Sequence, residues 1–328
     1  MNRAATAGSA SAGPKGPAPA AGSLDGGAAG GGSRPPRGPR PGRTALFLLA
    51  PGALALLFTY AMPLVWVVRM ALNEPLDGGA IRQTLTFGTF AQVLGDAHYW
   101  KVIGQTLQLG GLVTMFTLLL SYPLALFLAR TTSRWRSLLM ALAVAPLLIS
   151  SVARTFGWMA ILGNQGLVNK SLQALSLTDG PLPLANNMTG VVIASVEIYM
   201  PFAILAMLSG FGRLEPELER AAASLGASRL AVLRRVVLPL TLPGVLIAAL
   251  LVFVLSLSGY VTPRLIGGGR VFVLATEIYD QAITSLNWPV AAVLSVLLLV
   301  LFGLVIVLYQ RAQRALDRRF TGEKGAPR

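Results

Sequence analysis

The sequence contains no cysteine and a single histidine, His98. Without thiols the chain cannot form a disulfide, use a thiolate nucleophile or bind a metal through cysteine, and one histidine cannot make a histidine-rich metal site. Charged residues are also scarce, at 12% of 328 residues, which is about half the share of an ordinary soluble domain. These shortages exclude thiol chemistry and metal sites built from cysteine or from several histidines, and the scarcity of charge argues against a soluble fold.

Long apolar segments take the place of the missing charge. Hydrophobic residues make up 54% of the chain and the mean hydropathy is +0.65. An α-helix of about 20 apolar residues crosses the hydrocarbon core of a bilayer, so the sequence predicts an all-α integral membrane protein with about six transmembrane helices. We place these spans at Ala45–Met70, Val102–Ala129, Leu138–Leu162, Gly190–Phe211, Leu242–Leu257 and Val290–Tyr309.

The two ends of the chain have a different composition from the membrane domain, which we place at 44–311. Residues 1–43 consist mostly of Ala, Gly, Pro and Ser with scattered Arg. Such a segment cannot bury enough apolar surface to fold, so a disordered tail is predicted there. A second, basic tail is predicted at 312–328.

Topology follows from the distribution of the basic residues. Most of the 27 Lys and Arg lie in the two tails, in the turn 130–136 and in the segment 213–239. The positive-inside rule places these segments, and therefore both termini, in the cytoplasm. The loops 73–101, 163–189 and 258–289 then face outward. This distribution accounts for the net charge of +14, and no nucleic-acid-binding pattern accompanies it.

The most charged interior segment is 216–243, and its pattern predicts two short helices. Pro216 suits the first position of the first helix. Gly226 suits a left-handed helix end, and Ser228 can cap the second helix. Pro239 is expected to end that second helix.

One face of the first helix carries only small and apolar side chains. Spacing at i, i+3, i+4 and i+7 places them together, and the members are Leu218, Ala221, Ala222 and Leu225. Because small side chains allow close approach, this face is predicted to dock a partner.

The same segment resembles the coupling-loop signature of permease subunits of bacterial ABC importers. In that signature Glu-Ala-Ala is followed by three residues, Gly, nine residues and Ile-x-Leu-Pro. The residues in register here are Ala221, Ala222, Gly226, Val236, Leu238 and Pro239. Arg220 occupies the position of the signature Glu, while Glu219 stands one residue earlier and leaves the helix about 100° away.

Further motifs, in matching order over almost all of 45–310, are similar to spermidine/putrescine-type permeases. They are Pro146, Arg154 to Trp158, Leu162, Gly166, Asn169, Tyr199 to Phe202, Leu240 to Gly244, Val261 to Pro263, Gly267, Gly268 and Asn287 to Pro289. The resemblance implies the transmembrane domain of a type I ABC importer in the bacterial inner membrane. It implies three protein partners: a cytoplasmic ATPase dimer, a second and often non-identical permease subunit, and an extracytoplasmic substrate-binding protein.

The resemblance also implies roles for particular residues. Contact with the ATPase is assigned to Glu219, Arg220, Ala221, Ala222, Gly226, Leu238 and Pro239. ATP and Mg²⁺ are expected on the ATPase and no cofactor on this chain, because Gly267–Gly269 lacks the GK[ST] ending of a phosphate-binding loop. The implied cargo is a polyamine or a related small organic solute. The alternatives are an ABC importer permease for another cargo and a transporter driven by an ion gradient.

Four residues are candidates for the substrate pathway. Glu197 interrupts an apolar span, where a carboxylate is costly; it either pairs with a cationic substrate or is structural, paired with Arg154 or a backbone donor. Arg154 and Trp158 are four residues apart, hence on one helix face, where they line the pathway or anchor the outer interface. Tyr199, in the Tyr-Met-Pro-Phe motif, is the fourth candidate.

The remaining polar residues of the outer loops have less specific predictions. Glu277 and Asp280 either contact the binding protein or, as the sequence favours, form a solvated face. His98 is predicted to be an ordinary loop residue. Trp288 and Tyr309 bracket the sixth span as an aromatic belt does.

Overall fold

The computed structural model describes residues 41–131, 133–211 and 216–321, and it confirms the all-α class. The helices of these ranges are α1 (Pro41–Ala71), α2 (Gly88–Gly95), α3 (Ala97–Arg130), α4 (Arg136–Val144), α5 (Ser151–Leu162), α6 (Leu167–Ala174), α7 (Met188–Gly210), α8 (Pro216–Ser224), α9 (Arg229–Val232), α10 (Leu238–Ser258), α11 (Val261–Ile266), α12 (Leu274–Tyr279) and α13 (Trp288–Thr321). A short antiparallel hairpin joins β1 (Glu74–Pro75) to β2 (Ile81–Arg82). Single turns of 3₁₀-helix occupy Asp77–Gly79 and Ala145–Leu148, and π-turns occupy Leu233–Val237 and Asp280–Thr284.

Five continuous helices of the described residues are long and apolar enough to cross a membrane. They are Leu49–Ala71, Ala97–Arg130, Met188–Gly210, Arg229–Ser258 and Trp288–Ala315. A bent pair, Arg136–Leu148 and Ser151–Ala174, makes a sixth crossing if it is counted as one. The prediction of about six spans is therefore confirmed, with one of them broken.

The broken span corrects the expectation of a continuous third helix over Leu138–Leu162. Its two halves meet at 94°. The first half ends in the 3₁₀ turn that contains Pro146, and the backbone at Ile149 is extended. Proline lacks the N–H that would continue the helical bonding and its ring obstructs the preceding turn. The chain therefore leaves the helix here and starts α5 in a new direction.

The centre of the fold is the packing of α3, α7 and α10 against one another. Gly210 of α7 and Gly244 of α10 lie at their crossing, where a Cβ on Gly210 would be 2.3 Å from the Gly244 Cα. On α3, a Cβ on Gly110 would be 3.1 Å from the Phe253 ring. Membrane helices gain little from the hydrophobic effect, so small residues that allow close backbone contact fix where they cross.

A second apolar cluster joins α2, the start of α3, α12 and the start of α13. Within it, the buried Thr106 hydroxyl donates to Val102 O at 2.7 Å and accepts from Leu274 N at 2.8 Å. This bond ties the first backbone N–H of α12 to α3, and so holds the connection after α10 against the helix bundle.

Helix α1 begins at Pro41, so the last three residues of the predicted tail 1–43 are helical. The rest of that tail, residue 132, the loop residues 212–215 and the final residues 322–328 lie outside the described residues. The residues from Leu57 onward belong to one compact unit, and that unit contains both candidate sites.

Candidate functional site

Helix α8 has the end signals that the sequence predicts. Glu217 and Glu219 lie in its first turn, where the helix dipole favours acidic groups. Gly226 follows the helix with φ +80°, and the Ser228 hydroxyl accepts from Ala231 N at 3.3 Å, capping α9. Both the left-handed helix end and the cap are confirmed.

The surface of α8 is open. Ala221 is exposed, Ala222 is half-buried, and a Cβ placed on Gly226 would meet no other atom within 4 Å. Leu218 and Leu225 are 43% and 88% exposed. A charged segment that exposes leucines beside small residues is suited to contact with another protein.

Arg220, at the position of the signature Glu, and Glu219, one residue before it, lie in different environments. The Arg130 guanidinium at the end of α3 donates to Glu219 Oε1 at 2.7 Å, so Glu219 is engaged within this chain. Arg220 is exposed. The role of the signature Glu does not pass simply to its neighbour, as the 100° offset between adjacent helical positions indicates.

The prediction that Pro239 ends the second helix is wrong, because the helix runs without interruption from Arg229 to Ser258. The π-turn Leu233–Val237 precedes the proline, and Leu238 N donates to Leu233 O five residues back. An extra residue in the turn shifts the hydrogen-bond register, which lets a helix pass a proline without breaking. Leu238 is exposed and Pro239 half-buried at this entry into the span.

A cavity of about 640 Å³ opens between the start of α5, the middle of α7 and the end of α10. Among the described residues its polar lining is supplied by Ser150, Ser151, Arg154, Tyr199, Tyr260 and Thr262, together with Ser258. The Thr155 and Thr262 hydroxyls, 3.3 Å apart and buried, join α5 to α11 beside it. Burial and the neighbouring Tyr279 raise the pKa of Tyr260, whose phenol is one of the hydrogen-bonding groups that line the cavity.

Three of the four pathway candidates meet in one cluster. Arg154 Nη1 donates to Glu197 Oε1 at 3.1 Å, and Trp158 Nε1 donates to Glu197 Oε2 at 3.2 Å. The pairing of Glu197 with Arg154, one of the two interpretations of this carboxylate, is present. Of the three residues only Arg154 also lines the 640 Å³ cavity, while Glu197 and Trp158 line an apolar groove between α3, α5 and α7.

Tyr199 lies apart from that cluster. Its hydroxyl donates to Leu255 O of α10 at 3.1 Å, and its ring lines the 640 Å³ cavity with Arg154. Glu197 and Tyr199 therefore face different sides of α7, because they are two residues apart and leave the helix about 200° apart.

The outer loops hold contacts that the sequence prediction misses. Glu277 is only 6% exposed, contrary to the predicted solvated face, and it accepts from Gln281 Nε2 at 3.0 Å. His98 is wrongly predicted as a loop residue: it lies in the first turn of α3, with its Nε2 3.5 Å from Glu277 Oε2. Asp280 pairs with Arg264 at 2.8 Å. The contact between His98 and Glu277 has little sequence signal, since the two residues are far apart in the chain.

Comparison with known proteins agrees with this architecture. Residues 121–322 match the family described as binding-protein-dependent transport system inner membrane component. The spermidine/putrescine transport system permease protein PotB of Haemophilus influenzae is 33% identical over 67% of this chain and 77% of that protein. The molybdenum transport system permease protein ModB of Mycobacterium bovis is 32% identical over 60% of this chain and 72% of that protein.

Among solved structures, a bacterial alginate ABC transporter in complex with alginate pentasaccharide-bound periplasmic protein has the same fold. The TM-score is 0.68 at 18% identity, over 85% of this chain and 95% of that chain. These matches place the protein among the multi-pass transport proteins of the inner membrane. Within that class, the chain belongs to the family of inner membrane components of binding-protein-dependent transport systems.

Its fold is the transmembrane domain of a type I ABC importer, and the chain is a permease subunit. It is not itself an enzyme, because ATP hydrolysis in such a system is carried out by a partner ATPase. A substrate-binding protein is the second partner of the system.

Proposed function

We propose that this chain and a second, non-identical permease subunit form the inner-membrane path for a polyamine such as spermidine or putrescine. Helix α8 docks the chain onto a cytoplasmic ATPase dimer, which binds ATP and Mg²⁺. The observation that carries the proposal is the small-residue surface of exposed Ala221, half-buried Ala222 and exposed Gly226, presented between the spans α7 and α10.

The charges around α8 indicate which charge is expected on the ATPase surface that contacts it. Glu219 is bound to Arg130 within the chain, whereas Arg220, Arg229 and Arg234 are exposed. An exposed basic surface is complementary to an acidic one. The docking groove on the ATPase is therefore expected to offer a carboxylate opposite Arg220, where the signature permeases carry the acidic partner themselves.

The Arg130–Glu219 contact also supports the proposed orientation. It places the end of α3 next to α8, and the basic turn after α3 lies on the same side. The positive-inside rule assigns that side to the cytoplasm. Both termini are then cytoplasmic, and the loops that carry α2, α6 and α12 face the binding protein.

Two cargo classes have support. The similarity to PotB over 77% of its length favours a polyamine. Arg154 is the only charged lining residue of the cavity among the described residues, and an anionic cargo would be favoured if the charge of Arg154 were not balanced by Glu197. The similarity to ModB is in line with that second class.

Reconstitution decides between these cargoes. The chain would be placed in proteoliposomes with a cognate ATPase, a second permease and a binding protein, and uptake of labelled spermidine, putrescine and molybdate would be measured with and without ATP. ATP-dependent uptake of a polyamine is expected. Uptake of molybdate alone would establish the second class, and uptake driven by an ion gradient without ATP would contradict the proposed mechanism.

A single substitution tests the docking surface. Ala222→Arg places a long charged side chain in the predicted contact, and we expect normal insertion with at least a tenfold loss of ATP-dependent uptake, about 1.4 kcal/mol or more. Ala315→Arg adds the same side chain at an exposed position near the end of α13, outside the proposed contacts with the ATPase and the binding protein, and serves as the matched control. Parental uptake in Ala222→Arg would refute the assignment of α8.

A further inference from the structure

Arg154 stands in an unusual position for a path that carries cations. It is the only charged residue that lines the 640 Å³ cavity within the described part of the chain, and its side chain is 10% exposed. An unpaired guanidinium in a membrane protein creates a strong positive potential around it, because the surrounding dielectric is low. Such a wall would repel a polyamine.

The charge of Arg154 is balanced from outside the cavity. Glu197 does not line the cavity, yet its Oε1 accepts from Arg154 Nη1 at 3.1 Å. Trp158 Nε1 holds the other carboxylate oxygen at 3.2 Å. Both donors come from α5, so two bonds fix the carboxylate of α7 beside the guanidinium.

We propose that Glu197 is a positioning residue that neutralises Arg154 and thereby sets the charge preference of the cavity. With the pair intact the cavity accepts cationic and neutral groups; without the carboxylate it favours anions. The inference rests on the proposed function only where it calls the cavity the substrate path, since the cavity's potential exists whatever the cargo is. It also gives Glu197 a role in cation transport without direct contact with the cargo.

The absence of cysteine from the sequence makes the potential of the cavity measurable without knowledge of the cargo. A single cysteine at Ser258→Cys, an exposed lining position, would be labelled in the full-length chain with a cationic and with an anionic methanethiosulfonate. The ratio of the two rates reports the sign and strength of the local potential, because like charges repel the reagent and opposite charges attract it.

On this background, Glu197→Gln is expected to lower the cation-to-anion ratio at least tenfold. Adding Arg154→Met to Glu197→Gln removes both charges and is expected to bring the ratio back to within about twofold of the parental one, in accordance with the pairwise logic of a double-mutant cycle. Arg154→Met alone is expected to leave the ratio at or above the parental value. Glu74→Gln, which uncouples the exposed Arg82–Glu74 pair of the hairpin, is the matched control and leaves the ratio unchanged.

A purely structural pair would give a different pattern. Glu197→Gln would then lower the thermal stability of the chain but leave the labelling ratio at the parental value, and this result would overturn the proposal. If Glu197→Gln alone does not insert into the membrane, the double variant Glu197→Gln/Arg154→Met is measured instead. Its labelling ratio must stay within about twofold of the parental one, and a tenfold shift in the double variant would also overturn the proposal. Failure of the proposed function is recognised separately. In that case the parent does not take up a polyamine, while the labelling ratios of the variants still follow the pattern expected above.

Discussion

The geometry at Gly226 allows the effect of a partner to be separated from the effect of backbone strain. The residue has φ +80°, and a Cβ built on it meets nothing within 4 Å. Substitution by Ala or Leu therefore costs the isolated chain only the left-handed conformation, about 1–2 kcal/mol in each case. The two variants differ only in how far they project into whatever covers this surface.

We expect Gly226→Ala and Gly226→Leu to lower the thermal stability of the purified chain by the same amount. The affinity for the ATPase is expected to fall at least tenfold further in Gly226→Leu than in Gly226→Ala, equivalent to about 1.4 kcal/mol. The physical reason is that three additional carbon atoms at a close-packed contact cannot be accommodated without displacement of the partner. Binding of purified ATPase to the detergent-solubilised permease measures the difference.

Gly269 provides the control for this experiment. It is exposed, has φ +72° and likewise has no atom within 4 Å of a built Cβ, but it lies in the connection between α11 and α12. Gly269→Leu should show the same loss of stability and parental ATPase affinity. If Gly226→Leu binds the ATPase as tightly as the parent does, the reasoning about close approach at α8 is refuted; if Ala and Leu lose affinity equally, the helix end rather than the contact is responsible.

Two further predictions concern the packing of the helices. Gly244→Val places a Cβ 2.9 Å from the backbone of α7, and we expect about 1–3 kcal/mol of destabilisation, measured as a lower melting temperature. Gly303→Val is the control, because a Cβ there meets nothing within 4 Å, and it should melt at the parental temperature. Equal melting temperatures of the two variants would contradict the assigned crossing. Thr106→Val removes the acceptor of the buried Leu274 N–H and should cost about 1–3 kcal/mol. Thr117→Val is its control, since the buried Thr117 hydroxyl has no partner among the described residues; the hydrogen-bond argument fails if both threonine variants lose the same stability.

Local sequence signals predicted the helix ends around α8 correctly. Gly226 and Ser228 act through their own backbone and their nearest neighbours, so their structure does not depend on distant residues. Pro239 shows the limit of such reasoning. A proline interrupts an ideal α-helix, but one extra residue in the preceding turn, Leu233–Val237, compensates for it, and sequence periodicity does not reveal a π-turn.

The third span shows the opposite outcome. Membrane helices often continue through proline, as α7 does at Pro201, so the presence of Pro146 did not argue against the predicted span Leu138–Leu162. In the structure the helix breaks after the turn that contains Pro146. Whether a proline bends or ends a helix depends on whether neighbouring helices can satisfy the freed backbone groups, which is decided by packing.

The sequence by itself determined the class and the approximate number of spans, and it predicted the docking segment, because apolar length, basic flanks and a contiguous motif are properties of the chain read in order. Only the tertiary structure decided how the charged residues are used. It engaged Glu219 with Arg130, buried Glu277 beside His98, and separated Glu197 from the cavity that Arg154 lines. Each of these depends on residues distant in sequence, and the free energy of a charge in a membrane protein depends on which partner the fold brings to it.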